Sequence, residues 1–123
     1  MSAAQQSILV VEDGPDLGML LREALADMNR RAVLATTGSE ALAILAREPV
    51  SLLLLDWDLS DMAAPELLER LRATARAIPP VVLMSGRDRT PEELRWPELV
   101  EVLRKPFELA QLSEVVQRRL PEP

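Results

Sequence analysis

Three short stretches of this chain are apolar at every position: ILVV (8–11), LLLL (52–55) and VVLM (81–84). A strand with one wet face alternates apolar and polar residues, whereas a strand covered on both faces does not. Runs this short are also poor material for a buried helix. They predict strands inside a parallel sheet with helices on each side, an α/β fold. The sequence between them agrees. SILVV (7–11) is the first strand. PDLGMLLREALADMN (15–29) carries apolar residues at 17, 20, 21, 24, 25 and 28, a helical stripe opened by Pro15. RAVLAT (31–36) is a second strand. TGSEALAILAREP (37–49) is a helix with Thr37 and Glu40 at capping-box spacing. VSLLLLD (50–56), PELLERLRATAR (65–76) and PPVVLMS (79–85) follow as strand, helix and strand. TPEELRW (90–96) has room for a short helix at most, bounded by Pro97. LVEVLRK (99–105) is a fifth strand, and FELAQLSEVVQRRL (107–120) a final amphipathic helix.

The composition narrows the chemistry. A length of 123 residues suits one domain, 1–123, with a core at about 7–120 and PEP (121–123) as its edge. There is no cysteine and no histidine. Disulfides, thiolate nucleophiles and the usual imidazole base are excluded, so any metal is expected to be hard and oxygen-bound. A net charge of −6 argues against a nucleic-acid surface. No basic leader opens the sequence and no apolar run approaches a membrane span, so a cytoplasmic protein is expected. Among 14 basic residues only Lys105 is a lysine.

In open parallel sheets, ligands bind where the strands end. The first strand runs into Glu12 and Asp13, the third into Asp56, Trp57 and Asp58, the fourth into Ser85 and the fifth into Lys105. Carboxylates brought to one rim repel one another, and a divalent cation relieves that repulsion. Magnesium accepts such a set, one or two carboxylates with phosphate oxygens and waters. A carboxylate also attacks phosphorus to give an aspartyl phosphate, and a lysine opposite supplies a positive point charge.

ILVVED, LLLLDWDLSDM, VVLMSG and LRKPF, in that order, resemble the receiver domain of bacterial two-component response regulators. The resemblance covers about residues 7–120. It implies a flavodoxin-like, doubly wound five-stranded parallel sheet of order 2-1-3-4-5 with helices on both faces. It implies a phosphoryl group taken from the phosphohistidine of a histidine kinase or phosphotransfer protein, with Mg2+, or Mn2+ as a substitute. Asp56 would be the phosphoacceptor and a metal ligand. Asp13 would bind the metal directly, Glu12 through water, and Asp58 through its backbone carbonyl. Ser85 would be the switch hydroxyl, and Lys105, before Pro106, would contact the phosphoryl group. Such a domain is not an enzyme beyond its own phosphorylation and dephosphorylation.

The chain also departs from that pattern. Ser60 stands where the family commonly has proline, and Ala63 and Ala64 replace an Asp-Gly pair. Val102 stands where the family carries an aromatic ring that swings inward on activation. The segment between Ser85 and Lys105 is short, so the family's common dimer face is expected to be remodelled and the protein monomeric or weakly dimeric. Asp58 and Arg87 lie on adjacent loops and are expected to pair over the site. Two alternatives follow. One is a pseudo-receiver that binds partners without being phosphorylated. The other takes Asp56-Trp57-Asp58-Leu59-Ser60 as similar to the DxDx[TV] motif of haloacid-dehalogenase-type phosphatases.

Overall fold

The computed structural model describes residues 6–74, 76–87 and 94–122. Its strands are β1 (Ser7–Val11), β2 (Arg31–Ala35), β3 (Leu52–Asp56), β4 (Val81–Ser85) and β5 (Leu99–Arg104). Its described helices are α1 (Pro15–Asp27), α2 (Gly38–Arg47), α3 (Ala64–Arg72) and α4 (Leu109–Arg119). The strands form one parallel sheet of order β2-β1-β3-β4-β5, as expected. The short helix expected over 90–96 lies largely outside the described residues.

Alternation along the strands divides the core in two. Leu9, Val11, Leu53, Leu55, Val81 and Leu83 face one side, where Ala41 and Ile44 of α2 and Leu67, Leu68 and Leu71 of α3 cover them. Ile8, Val10, Leu52, Leu54, Val82 and Met84 face the other, under Leu21 and Leu25 of α1 and Leu112, Val115 and Val116 of α4. All four leucines of β3 are fully buried, which is why the run has no polar position to spare. β2 and β5 are the sheet edges and are only partly buried. The β4–β5 register slips at Val100: Val81 lies opposite Leu99, but Val82 opposite Glu101. This one-residue bulge resets the alternation, so that Glu101 reaches α4 and Val102 packs into the α2/α3 layer.

Several elements are shorter than their sequence patterns. β3 begins at Leu52, after Ser51 N–H donates to Ser7 O, and β4 begins at Val81, because Pro79 and Pro80 offer no N–H to a neighbouring strand. α3 stops at Arg72, where Leu71 O accepts both the N–H and the Oγ1–H of Thr74. α1 ends in a left-handed Asn29 (φ 61°), with Asn29 N–H to Ala26 O and Arg30 N–H to Leu25 O. That pair of bonds is a Schellman cap, and asparagine tolerates its conformation. Arg30 then turns inward. Its guanidinium, on a residue only 6% exposed, donates to Gln6 Oε1 and to the carbonyls of Leu120 and Pro121. It neutralises the negative end of α4.

Candidate functional site

Each rim residue is placed by a ladder bond just beyond its strand. Glu12 N–H donates to Ala35 O at 3.0 Å, Trp57 N–H to Met84 O at 2.9 Å, and Lys105 N–H to Ser85 O at 2.7 Å. The strand ends are therefore held in register, and Glu12, Asp56, Ser85 and Lys105 share one rim. Glu12, Asp56 and Ser85 are buried, Lys105 is partly buried, and Asp13 is exposed. One carboxylate oxygen from each of Glu12, Asp13 and Asp56 lies within 4.8 Å of the others. Lys105 Nζ lies 3.0 Å from Glu12 Oε1 and 3.2 Å from Asp56 Oδ1. The second Glu12 oxygen accepts the Gly14 N–H at 3.1 Å.

The electrostatics follow from that crowding. Burial and then the Glu12 charge push the Asp56 carboxyl up to about 6 from 3.8; Lys105 and the Asp58 N–H pull the other way. Burial alone would lower the Lys105 ammonium, but the Glu12 hydrogen bond and the Asp56 charge outweigh it, and its pKa rises. One ammonium thus serves two buried carboxylates, and a third acid stands beside them at the solvent edge. A donor set made wholly of hard oxygens at this spacing fits a magnesium-like cation.

The loop after β3 is a compact unit. Asp58 and Ala63 form an isolated antiparallel bridge, Leu59 N–H donates to Met62 O, and Ala64 N–H donates to Trp57 O at 2.9 Å. Ser60, Ala63 and Ala64 therefore build an ordered turn, without the family's proline and glycine. Asp61 leaves this turn to cap α2, accepting the N–H groups of Gly38 at 2.8 Å and Ser39 at 3.0 Å. A Cβ at Gly38 would lie 2.6 Å from Met62 Sδ, so any larger residue there would force the Met62 side chain to move.

The Trp57 ring stacks on Trp96, with centroids 5.7 Å apart and planes 7° from parallel. Sequence reasoning singled out neither Asp61 nor this stack. The one available signal was the aromatic poverty of the chain, two tryptophans and one phenylalanine. The expected Asp58–Arg87 pair does not form: both side chains are exposed, and no ion pair joins them among the described residues. The Arg87 N–H instead donates to Ser85 Oγ at 3.2 Å. An apolar cavity of about 650 Å³ lies at the other end of the sheet, lined by Leu42, Leu45, Val50, Leu71 and Ile78 among others. Volume and chemistry therefore do not coincide, and the rim is the chemically equipped site.

A family model described as the response regulator receiver domain matches residues 8–117. The chain belongs to this family. The receiver is 31% identical to the response regulator RppA of Synechocystis, over 94% of its own length and 52% of that protein. It is 26% identical to the sporulation initiation phosphotransferase F of Bacillus subtilis, over 94% of each chain. Among solved structures it is similar to the response regulator protein TrrA of Thermotoga maritima, described as a complex with Mg(2+)-BeF. That match has a TM-score of 0.80 at 25% identity, over 94% of this receiver and 99% of that chain. The receiver thus spans about half of one relative and nearly all of another. It is a domain of two-component signalling. No helix among the described residues is long and apolar enough to cross a membrane.

Proposed function

We propose that this receiver, as a single domain over 1–123, accepts a phosphoryl group on Asp56 from the phosphohistidine of a histidine kinase or phosphotransfer protein. The observation that carries the reading is the Asp56 carboxylate at the β3 rim, grouped with Glu12 and Asp13 and 3.2 Å from Lys105 Nζ. An Asp56 oxygen attacks phosphorus, the phosphorus–nitrogen bond breaks, and the donor imidazole leaves with its electron pair and takes up a proton. Bound Mg2+, or Mn2+ in its place, supplies charge neutralisation for the transferring group. Asp13 and Asp56 would hold the ion directly, Glu12 through water, and Asp58 through its backbone carbonyl. Lys105 leaves its two carboxylates to face the new phosphoryl charge, and Ser85 Oγ donates to a phosphoryl oxygen. The names of phosphotransferase F and of the TrrA complex agree with this chemistry.

The domain acts in the cytoplasm, as a switch and not as an enzyme with an external substrate. Acetyl phosphate or phosphoramidate with Mg2+ should add one phosphoryl group by intact mass, and Asp56→Asn should take up none. p-Nitrophenyl phosphate should not turn over; turnover would favour the phosphatase alternative. An unmodified parent would favour the pseudo-receiver, whose one supporting observation is Val102, an aliphatic residue in the α2/α3 layer where the family has a ring.

A further inference from the structure

We propose that Trp96 is a positioning residue for the carboxylate site and acts through Trp57. The inference rests on the reading of Asp56 as a metal-assisted phosphoacceptor. Trp57 lies between the two residues whose placement that chemistry needs, Asp56 and Asp58. Its backbone is anchored at both ends, N–H to Met84 O in β4 and C=O to Ala64 N–H at the start of α3. Its ring lies in a near-parallel stack on Trp96. A stacked pair is a directional contact, so it fixes orientation as well as excluding water. Displacement of the Trp57 ring would be felt at its own Cα, which joins the backbone of Asp56 to that of Asp58.

Trp96 is itself presented by a tied segment. Its carbonyl accepts the Leu99 N–H at 3.0 Å, at the start of β5. Two residues on, the Glu98 carbonyl accepts the Val81 N–H at 2.8 Å, and the Glu98 carboxylate binds Arg72 of α3 at 2.8 Å. Arg95, just before the ring, has φ 54°, a left-handed conformation disfavoured for a long side chain. The chain accepts that conformation where it turns the Trp96 ring to meet Trp57. The only other aromatic residue, Phe107, packs on the opposite layer, so no third aromatic ring joins the stack on the α2/α3 side. It links the acid rim to the start of an edge strand. Coupling of this kind is reciprocal: if the ring holds the site ready, an occupied site must steady the ring's segment.

The test is titration of the parent, Trp96→Leu and Trp96→Phe with Mg2+ and then beryllofluoride by calorimetry. Hydrogen exchange at the Leu99 amide is followed in parallel, and urea unfolding in chelator tracks any loss of fold. Trp96→Leu should weaken beryllofluoride binding about fivefold or more, and Trp96→Phe, which keeps a ring to stack, should stay within about twofold of the parent. Leu99 should gain protection on ligand binding in the parent and not in Trp96→Leu. Binding by Trp96→Leu as tight as the parent's overturns the inference, as does equal weakening by leucine and phenylalanine. Should Trp96→Leu fail to fold, the parent decides alone, and unchanged Leu99 exchange on binding overturns the inference. A parent that binds neither Mg2+ nor beryllofluoride overturns the phosphoacceptor reading, and this inference with it.

Discussion

Asp56 carries its charge against the preference of its surroundings. Burial and the neighbouring Glu12 lift its pKa to about 6, so without metal the folded state keeps a proton that the unfolded chain, near 3.8, has already released. Between those values the native state binds the extra proton, and stability therefore falls as pH rises through about 6. Full stability from this group is present only below the unfolded value. Asp56→Asn should accordingly stabilise the metal-free protein at pH 7 by about 1–3 kcal/mol, since one pKa unit is worth 1.36 kcal/mol. The gain should fade toward pH 4, as read by urea denaturation in chelator across that range. A gain independent of pH would mean that something other than the charge is being relieved. For the same reason Mg2+ affinity should drop steeply below about pH 6, where proton and cation compete for one carboxylate.

Elements depend on contacts from far along the chain. The N–H groups of Gly38 and Ser39 hold the Asp61 carboxyl below its ordinary value. Its contribution is present above the unfolded value of 3.8 and is lost as pH falls through the lower folded one. Asp61→Ala should speed hydrogen exchange at Gly38 and Ser39 and lower the melting temperature, while α4 amides stay protected. Arg30 joins the end of α1, Gln6 before β1 and the end of α4 through hydrogen bonds from a buried cation. Arg30→Ala should cost about 1.5–3 kcal/mol in denaturant unfolding, the usual range for bonds to a charged group. The unbroken apolar runs disclosed the strands, and their ends disclosed the acid rim, because both properties are local. Asp61 and Trp96 were not legible, since each acts on a partner distant in sequence, 23 residues away for Asp61 and Gly38. The early end of α3 depends on a Thr74 hydroxyl that helical periodicity does not register.

At the scale of the whole molecule, Glu101 of β5 and the two arginines that end α4 are already engaged with one another. Arg118 grips Glu101 with two bonds of 3.0 and 3.1 Å, and Arg119 adds a third at 3.0 Å. Exposed pairs of this kind contribute little stability, but they leave fewer charges to bind a second copy. Sedimentation velocity should therefore show one monomeric species with or without Mg2+ and beryllofluoride, and a tight dimer through this side would contradict it. The same economy of cations has a chemical consequence. All the other basic side chains are arginines, so the chain offers amine-directed reagents a single side-chain address, Nζ of Lys105. That amine is held by both Glu12 and Asp56. Acylating it would erase the one positive charge these two acids share, so among the side chains a reagent that ignores arginine would report on this acid rim alone.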